Sequence, residues 1–145
     1  MEFLKTWLPI ILSAAALVVS LITFFSNVSH DKKKATLDAY NILQSQVLDK
    51  LNSYTKKQIE EISANPRSEE YKEISALLAR VQHFAVGVNT NIYDEKVVKR
   101  LAGKYFLGIY DKLSPLIEKK RSVNKTEKHY DEFEQLVVKI KKMYK

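Results

Sequence analysis

The sequence predicts an all-α protein, with one N-terminal transmembrane helix followed by a small helical bundle. Three observations carry that expectation. Trp7 to Val28 holds no charged side chain. Only three glycines and three prolines punctuate 145 residues, a scarcity that favours long helices over turn-rich β structure. Beyond the apolar run, hydrophobic residues recur at the three- and four-residue intervals of amphipathic helices. The chain divides into a short tail over residues 1–6, a span over 7–29 and one helical domain over 30–145, a size suited to a single core.

The first element is the apolar run. Its 22 residues reach about 33 Å as a helix, enough to cross a hydrocarbon core of ~30 Å. A buried helix of a soluble protein is the alternative, but a domain this small has too little chain to surround so apolar a rod. A cleavable signal would carry a shorter apolar region followed by small residues. Here Ser13, Ala14, Ala15 and Ala16 lie inside the run, with Leu17 to Phe25 still to come. The net charge of +7 lies beyond the run, because Glu2 and Lys5 cancel before it. Lys32, Lys33 and Lys34 follow at once and place that side in the cytoplasm. The expected location is the cell (inner) membrane, with the N-terminus outside and the C-terminal domain cytoplasmic. The three lysines are also the expected contacts for anionic lipid headgroups. Within the span, Ser13, Ala16, Ser20, Thr23 and Asn27 form a stripe of small and polar side chains, extended by Thr6, Pro9 and His30. Such a stripe suits association with a second copy, although hydroxyls also bond back to their own helix.

Neither glycine nor proline occurs between Pro9 and Pro66. The span is therefore free to run on into a first cytoplasmic helix ending near Ala64, with Tyr40, Leu43, Val47, Leu51 and Tyr54 on its apolar face. A fresh start capped at Ser29 or Asp31 stays open as the alternative. Asn65-Pro66-Arg67 breaks the pattern, and Ser68 with Glu69 and Glu70 starts a helix with Ile74, Leu77, Leu78, Val81, Phe84, Ala85 and Val88 inward. It stops around Asn89 to Asn91. Asp94 caps the next helix, whose expected inner face is Val97, Val98, Leu101, Tyr105, Ile109 and Leu113. Ser114-Pro115 either kinks that helix or opens a short segment ending near Arg121. Asn124 with Glu127 makes a capping box for a last helix, with Tyr130, Phe133, Val137, Ile140 and Tyr144 at heptad spacing.

The stretch Phe84-Ala85-Val86-Gly87-Val88-Asn89-Thr90-Asn91-Ile92-Tyr93-Asp94 resembles a bacterial family of small membrane-anchored proteins known only as a domain of unknown function. The resemblance continues through Leu101-Ala102-Gly103, Tyr105-Phe106, Pro115 to Ile117, Lys120-Arg121 and Phe133-Glu134, about half the chain. Its marker residues here are Phe84, Ala85, Gly87, Asn89, Asn91, Tyr93, Asp94 and Arg121. Where this chain has Asn91 the family often has glycine, and both residues tolerate the left-handed conformation that ends a helix. The resemblance implies an anchor plus helical domain and brings no reaction, ligand or catalytic residue.

The residues themselves suggest no catalytic chemistry. The absence of cysteine excludes disulfides, thiolate metal sites and a cysteine nucleophile. His30, His83 and His129 are far apart and form no metal-binding pair. Gly87, Gly103 and Gly108 stand singly in helical patterns, unlike a phosphate-binding loop. The adjacent acids Glu60-Glu61, Glu69-Glu70 and Asp131-Glu132 suit a solvated helix face. Neither catalytic, cofactor nor metal residues are assigned. Lys119 to Arg121 and Lys139, Lys141, Lys142 and Lys145 are basic, but the last helix also carries Asp131, Glu132 and Glu134, and its aromatics lie on the apolar stripe, which argues against nucleic acid. The expected partners are the lipid bilayer, a protein that remains to be identified and further copies of the chain. The function these features suggest is a membrane-anchored interaction or scaffold module. The alternative is an oligomerising effector, a toxin or phage-defence component that perturbs the bilayer.

Overall fold

A computed structural model describes residues 2–125 and 128–144, with side chains from residue 7 onward. Among these residues the chain is helical, without strands. Helix α1 (Glu2–Leu43) spans 42 residues. A π-helical turn over Gln44–Leu48 and a last α turn over Asp49–Asn52 prolong it. The choice between a continuous and a restarted helix therefore resolves in favour of continuity: neither Ser29 nor Asp31 interrupts α1. From Trp7 to Asp31 every side chain is exposed, whereas from Thr36 onward one face is built into the bundle. Val47 and Leu48 of the π turn are both fully buried.

The rod stops at Asn52, short of the expected Ala64. The cause is a break without glycine or proline. Thr55 accepts from the Gln58 amide at 3.2 Å, while the Thr55 amide donates to Gln58 Oε1 at 2.8 Å. This capping box opens α2 (Lys56–Ser63). Ser68 Oγ accepts from the Tyr71 amide at 3.1 Å and caps α3 (Glu69–Asn89), as its position before two acids predicted. Asp94 caps α4 (Glu95–Asn124) by accepting from the amides of Lys96 and Val97.

Helix α4 continues through Pro115, so of the two expectations, a kink or a new segment, no new segment opens there. Proline cannot donate to the Asp111 carbonyl one turn back. Ser114 Oγ donates to it instead, at 2.8 Å. The inner face of α4 also differs from expectation: Leu101 is exposed, and Val98, Ala102, Phe106, Ile109, Leu113, Leu116 and Ile117 are buried. At about 100° per residue these positions keep one direction centred near Ala102 and Leu113, which leaves Leu101 about 100° round the helix and Tyr105 at the edge of the stripe. Helix α5 (Asp131–Met143) starts after Tyr130 in a left-handed conformation, with Asp131, Glu132 and Glu134 in its first turn. Glu127 of the expected capping box lies outside the described residues. Phe133, Val137 and Ile140 are buried as predicted, and Leu136 joins them, while Tyr144 is exposed.

Four elements each send one ring to the centre. Tyr40 of α1 meets Phe84 of α3 and Phe106 of α4, with centroids 6.5 and 6.4 Å apart. Phe84 stacks on Phe106 at 6.0 Å, and Phe106 meets Phe133 of α5 edge-on at 6.2 Å. Such pairs add packing energy beyond the area they bury. The apolar rod and the core thus share one helix.

Candidate functional site

The direction of each helix follows from what it touches. Arg80 Nη2 donates to Gln46 Oε1 at 2.6 Å, Phe84 packs on Tyr40, and Asn91 Oδ1 accepts from Lys32 Nζ. Each step forward along α3 is thus a step back along α1. Helix α4 returns the other way: the Asp94 amide donates to Thr36 Oγ1 at 2.8 Å, the Tyr105 hydroxyl to the Leu48 carbonyl at 3.2 Å, and Lys112 Nζ to the Asn52 carbonyl at 3.2 Å. The loop joining α3 to α4 therefore closes the end of this hairpin nearest the apolar half of α1.

At that loop the marker residues other than Arg121 converge. Asn91 has φ 66° and turns the chain. Asparagine tolerates this region because its side chain bonds locally, and here the same side chain receives Lys32. The Thr90 amide donates to the Val86 carbonyl and the Tyr93 amide to the Gly87 carbonyl, both at 2.9 Å. The Tyr93 ring lies against Gly87, where a Cβ would meet it at 2.5 Å, and stacks on Phe84 at 5.2 Å. Glycine is required there because the ring occupies the space of a side chain. Asn89 Nδ2 reaches across to α5, donating to the Glu132 carbonyl at 2.9 Å and to Glu132 Oε2 at 2.7 Å. Ala85 is fully buried behind them.

Sequence reasoning missed Thr36, which is fully buried. Its hydroxyl donates to the Lys32 carbonyl at 2.7 Å and accepts the Asp94 amide. One side chain thereby bonds its own helix and seats the α4 cap. The available signal was a hydroxyl one turn before Tyr40 on the same helix face. Gln82 was missed as well; its Oε1 accepts the Phe133 amide at 2.8 Å and satisfies an open donor of α5.

Other predicted residues stand apart from this joint. Arg121 lies at the far end of α4, donating from Nε to the His129 carbonyl at 3.0 Å and from Nη2 to Glu134 Oε2 at 2.6 Å. That bond holds the Glu134 carboxyl below its usual range, and burial with the nearby Glu134 raises the Tyr110 hydroxyl. Lys33 and Lys34 are exposed, while Lys32 is half-buried against the loop. Along the stripe of small and polar side chains Ser13 Oγ donates to the Pro9 carbonyl at 2.8 Å and Thr23 Oγ1 to the Val19 carbonyl at 2.9 Å. Ala16, Ser20 and Asn27 are exposed on the same rod; the side chain of Thr6 lies outside the described ones. Among the described residues, no three of histidine, aspartate and glutamate gather as metal ligands. His83 borders an open apolar groove of about 450 Å³ between α1 and α3, with Ile42, Val47 and Arg80.

What the joint does physically is fix α1 to the bundle by buried rings, a seated cap and a left-handed turn. One protein family, described as a domain of unknown function (DUF4760), matches residues 10–140. The chain belongs to that family. The DUF4760 match takes in the apolar half of α1 together with the joint and most of α5, well beyond the half of the chain that resembled the family by motif. The rod and the bundle are one family unit. No curated protein and no solved structure matches the chain.

Proposed function

We propose that this DUF4760 protein is a membrane-anchored helical interaction module, held by α1 at the cytoplasmic face of the cell (inner) membrane, where its bundle binds a protein partner or further copies of the chain. The supporting observation is the unbroken α1. Its apolar part is long enough to cross a bilayer and is 0% buried within its most apolar stretch, yet the same helix supplies Tyr40, Leu43, Val47 and Leu48 to the core. Each large apolar side chain left in water forgoes roughly 1.5–3 kcal/mol of burial, and lipid supplies that burial. Lys33 and Lys34 favour the cytoplasmic side for the bundle.

Two measurements test this reading. In sealed inverted vesicles, a protease should remove a C-terminal tag and spare the N-terminus; the opposite pattern would reverse the topology. Crosslinking in membranes should trap a stoichiometric protein partner or a dimer of the chain, and recovery of neither would sink the interaction module. The effector alternative rests on the polar stripe alone. Two of its hydroxyl protons, those of Ser13 and Thr23, are engaged by their own helix, which leaves less for bonding to a second span. Depolarisation on overexpression, abolished when the stripe is made leucine, would restore it.

A further inference from the structure

We infer that the loop between α3 and α4 is a second membrane contact, in which Ile92 enters the headgroup layer beside Lys33 and Lys34. The inference rests on α1 being the span. Exposure of one isoleucine carries no argument, since single apolar residues are common on surfaces. Its position does. The apolar run ends at Val28, and Lys32 follows four residues later on the same unbroken helix, about 6 Å further along the axis. The headgroup region adds roughly 5–8 Å on each side of the hydrocarbon core. Lys32 therefore sits within or at the edge of that layer, and its ammonium holds Asn91. Ile92 is the next residue and is 63% exposed.

The loop is also built to stay there. Its amides at Thr90, Tyr93 and Asp94 are all bonded inward, to Val86, Gly87 and Thr36, and the Tyr93 ring is pinned on Gly87. Asp94, the nearest acid along the chain, is turned back to cap α4. The outward surface is left with Ile92, at the level of a helix segment on which Asp31, Lys33 and Lys34 are exposed either side of Lys32, and next to the exposed Lys96 at the start of α4. An exposed apolar tip held at the level of a predominantly basic helix segment matches the boundary between acyl chains and anionic headgroups.

The chain contains no cysteine, so single substitutions can report on depth in the full-length protein. Ile92→Cys, Leu17→Cys and Val123→Cys would each be labelled with an environment-sensitive fluorophore and reconstituted into vesicles of phosphatidylcholine with one-fifth phosphatidylglycerol. Val123 is the control, being exposed and apolar but at the far end of α4. The label at 92 should shift to the blue and be quenched at least twofold more by a nitroxide near the headgroups than by one deep in the acyl chains. The label at 17 should show the deep preference, and that at 123 neither. A label at 92 that behaves like the one at 123, while 17 is quenched, overturns the inference and leaves the anchor standing. A label at 17 that reports water overturns the anchor itself, and the second contact with it.

Discussion

Gly87 is the position where one methyl group is most informative. Gly87→Ala would gain about 1 kcal/mol of helix propensity. Against this, the new Cβ would lie 2.5 Å from the Tyr93 ring, and that ring cannot retreat without giving up its stack on Phe84. Overpacking of this kind costs roughly 1–3 kcal/mol. Net destabilisation is expected in urea unfolding of the detergent-solubilised protein, followed by the tyrosine signal; a stabilised variant would show that the ring is not held. Asn91 makes the complementary case. Asn91→Val should cost about 1–2 kcal/mol, because a β-branched residue is strained at φ 66°, whereas Asn91→Gly should lie within a few tenths of wild type. Equal losses from both would transfer the importance of the site from its backbone to the Lys32 bond. Glu134 and Glu95 set the acid limit. Arg121 lowers the first and Lys99, with Lys139, the second. Depressed carboxyl pKa values contribute stability that is complete above the ordinary value of 4.5 and is lost as pH falls through the lowered folded values. Unfolding midpoints should therefore fall below about pH 4.5, and less steeply in Glu134→Gln.

Among the elements, caps decide where helices begin, and they also explain what the sequence revealed. Ser68 and Asp94 stood at visible pattern breaks, one after Pro66 and one after an asparagine-rich stop, so α3 and α4 were legible. Thr55 was not. It lies in a stretch without glycine or proline, and only the threonine followed three residues later by Gln58 marks the break. Thr55→Ala should cost about 1 kcal/mol and loosen α2 selectively, which amide exchange over residues 56–63 would reveal. Uniform exchange across the bundle would argue against a local role for the cap. The π turn was illegible for a different reason. Buried neighbours such as Val47 and Leu48 also occur in regular α-helix, as at Leu77 with Leu78 and Leu116 with Ile117, so no spacing in the sequence marks the extra residue. Leu101 was misplaced because the small Ala102, and not the larger leucine beside it, takes the inward position at that turn, with Leu101 about 100° away. The joint was half legible: its loop residues formed a motif, while Thr36 and Gln82, which receive that loop and the start of α5, depend on pairings far apart in sequence.

For the whole molecule, continuity of α1 makes the height of the bundle a property of helix length. Where Ser29 meets His30 the helix is exposed on all sides, so residues added there leave every bundle contact intact. Seven inserted residues of good helix propensity lengthen the rod by about 10 Å and turn it almost through whole revolutions, so the bundle keeps its face toward the same direction. Such an insertion should raise the loop at Ile92 clear of the headgroup layer and abolish nitroxide quenching of a label at 92. Quenching at 17 and the urea midpoint of the bundle should not change. A quenched label at 92 in the lengthened protein would mean that the added turns fold back or tilt, and that α1 is not the rigid ruler its unbroken hydrogen bonding describes. If the apolar half of α1 is the proposed span and the rod is rigid, its rotation or displacement within a bilayer reaches Tyr40 and the ring cluster directly, through Thr36 and the loop seated on it.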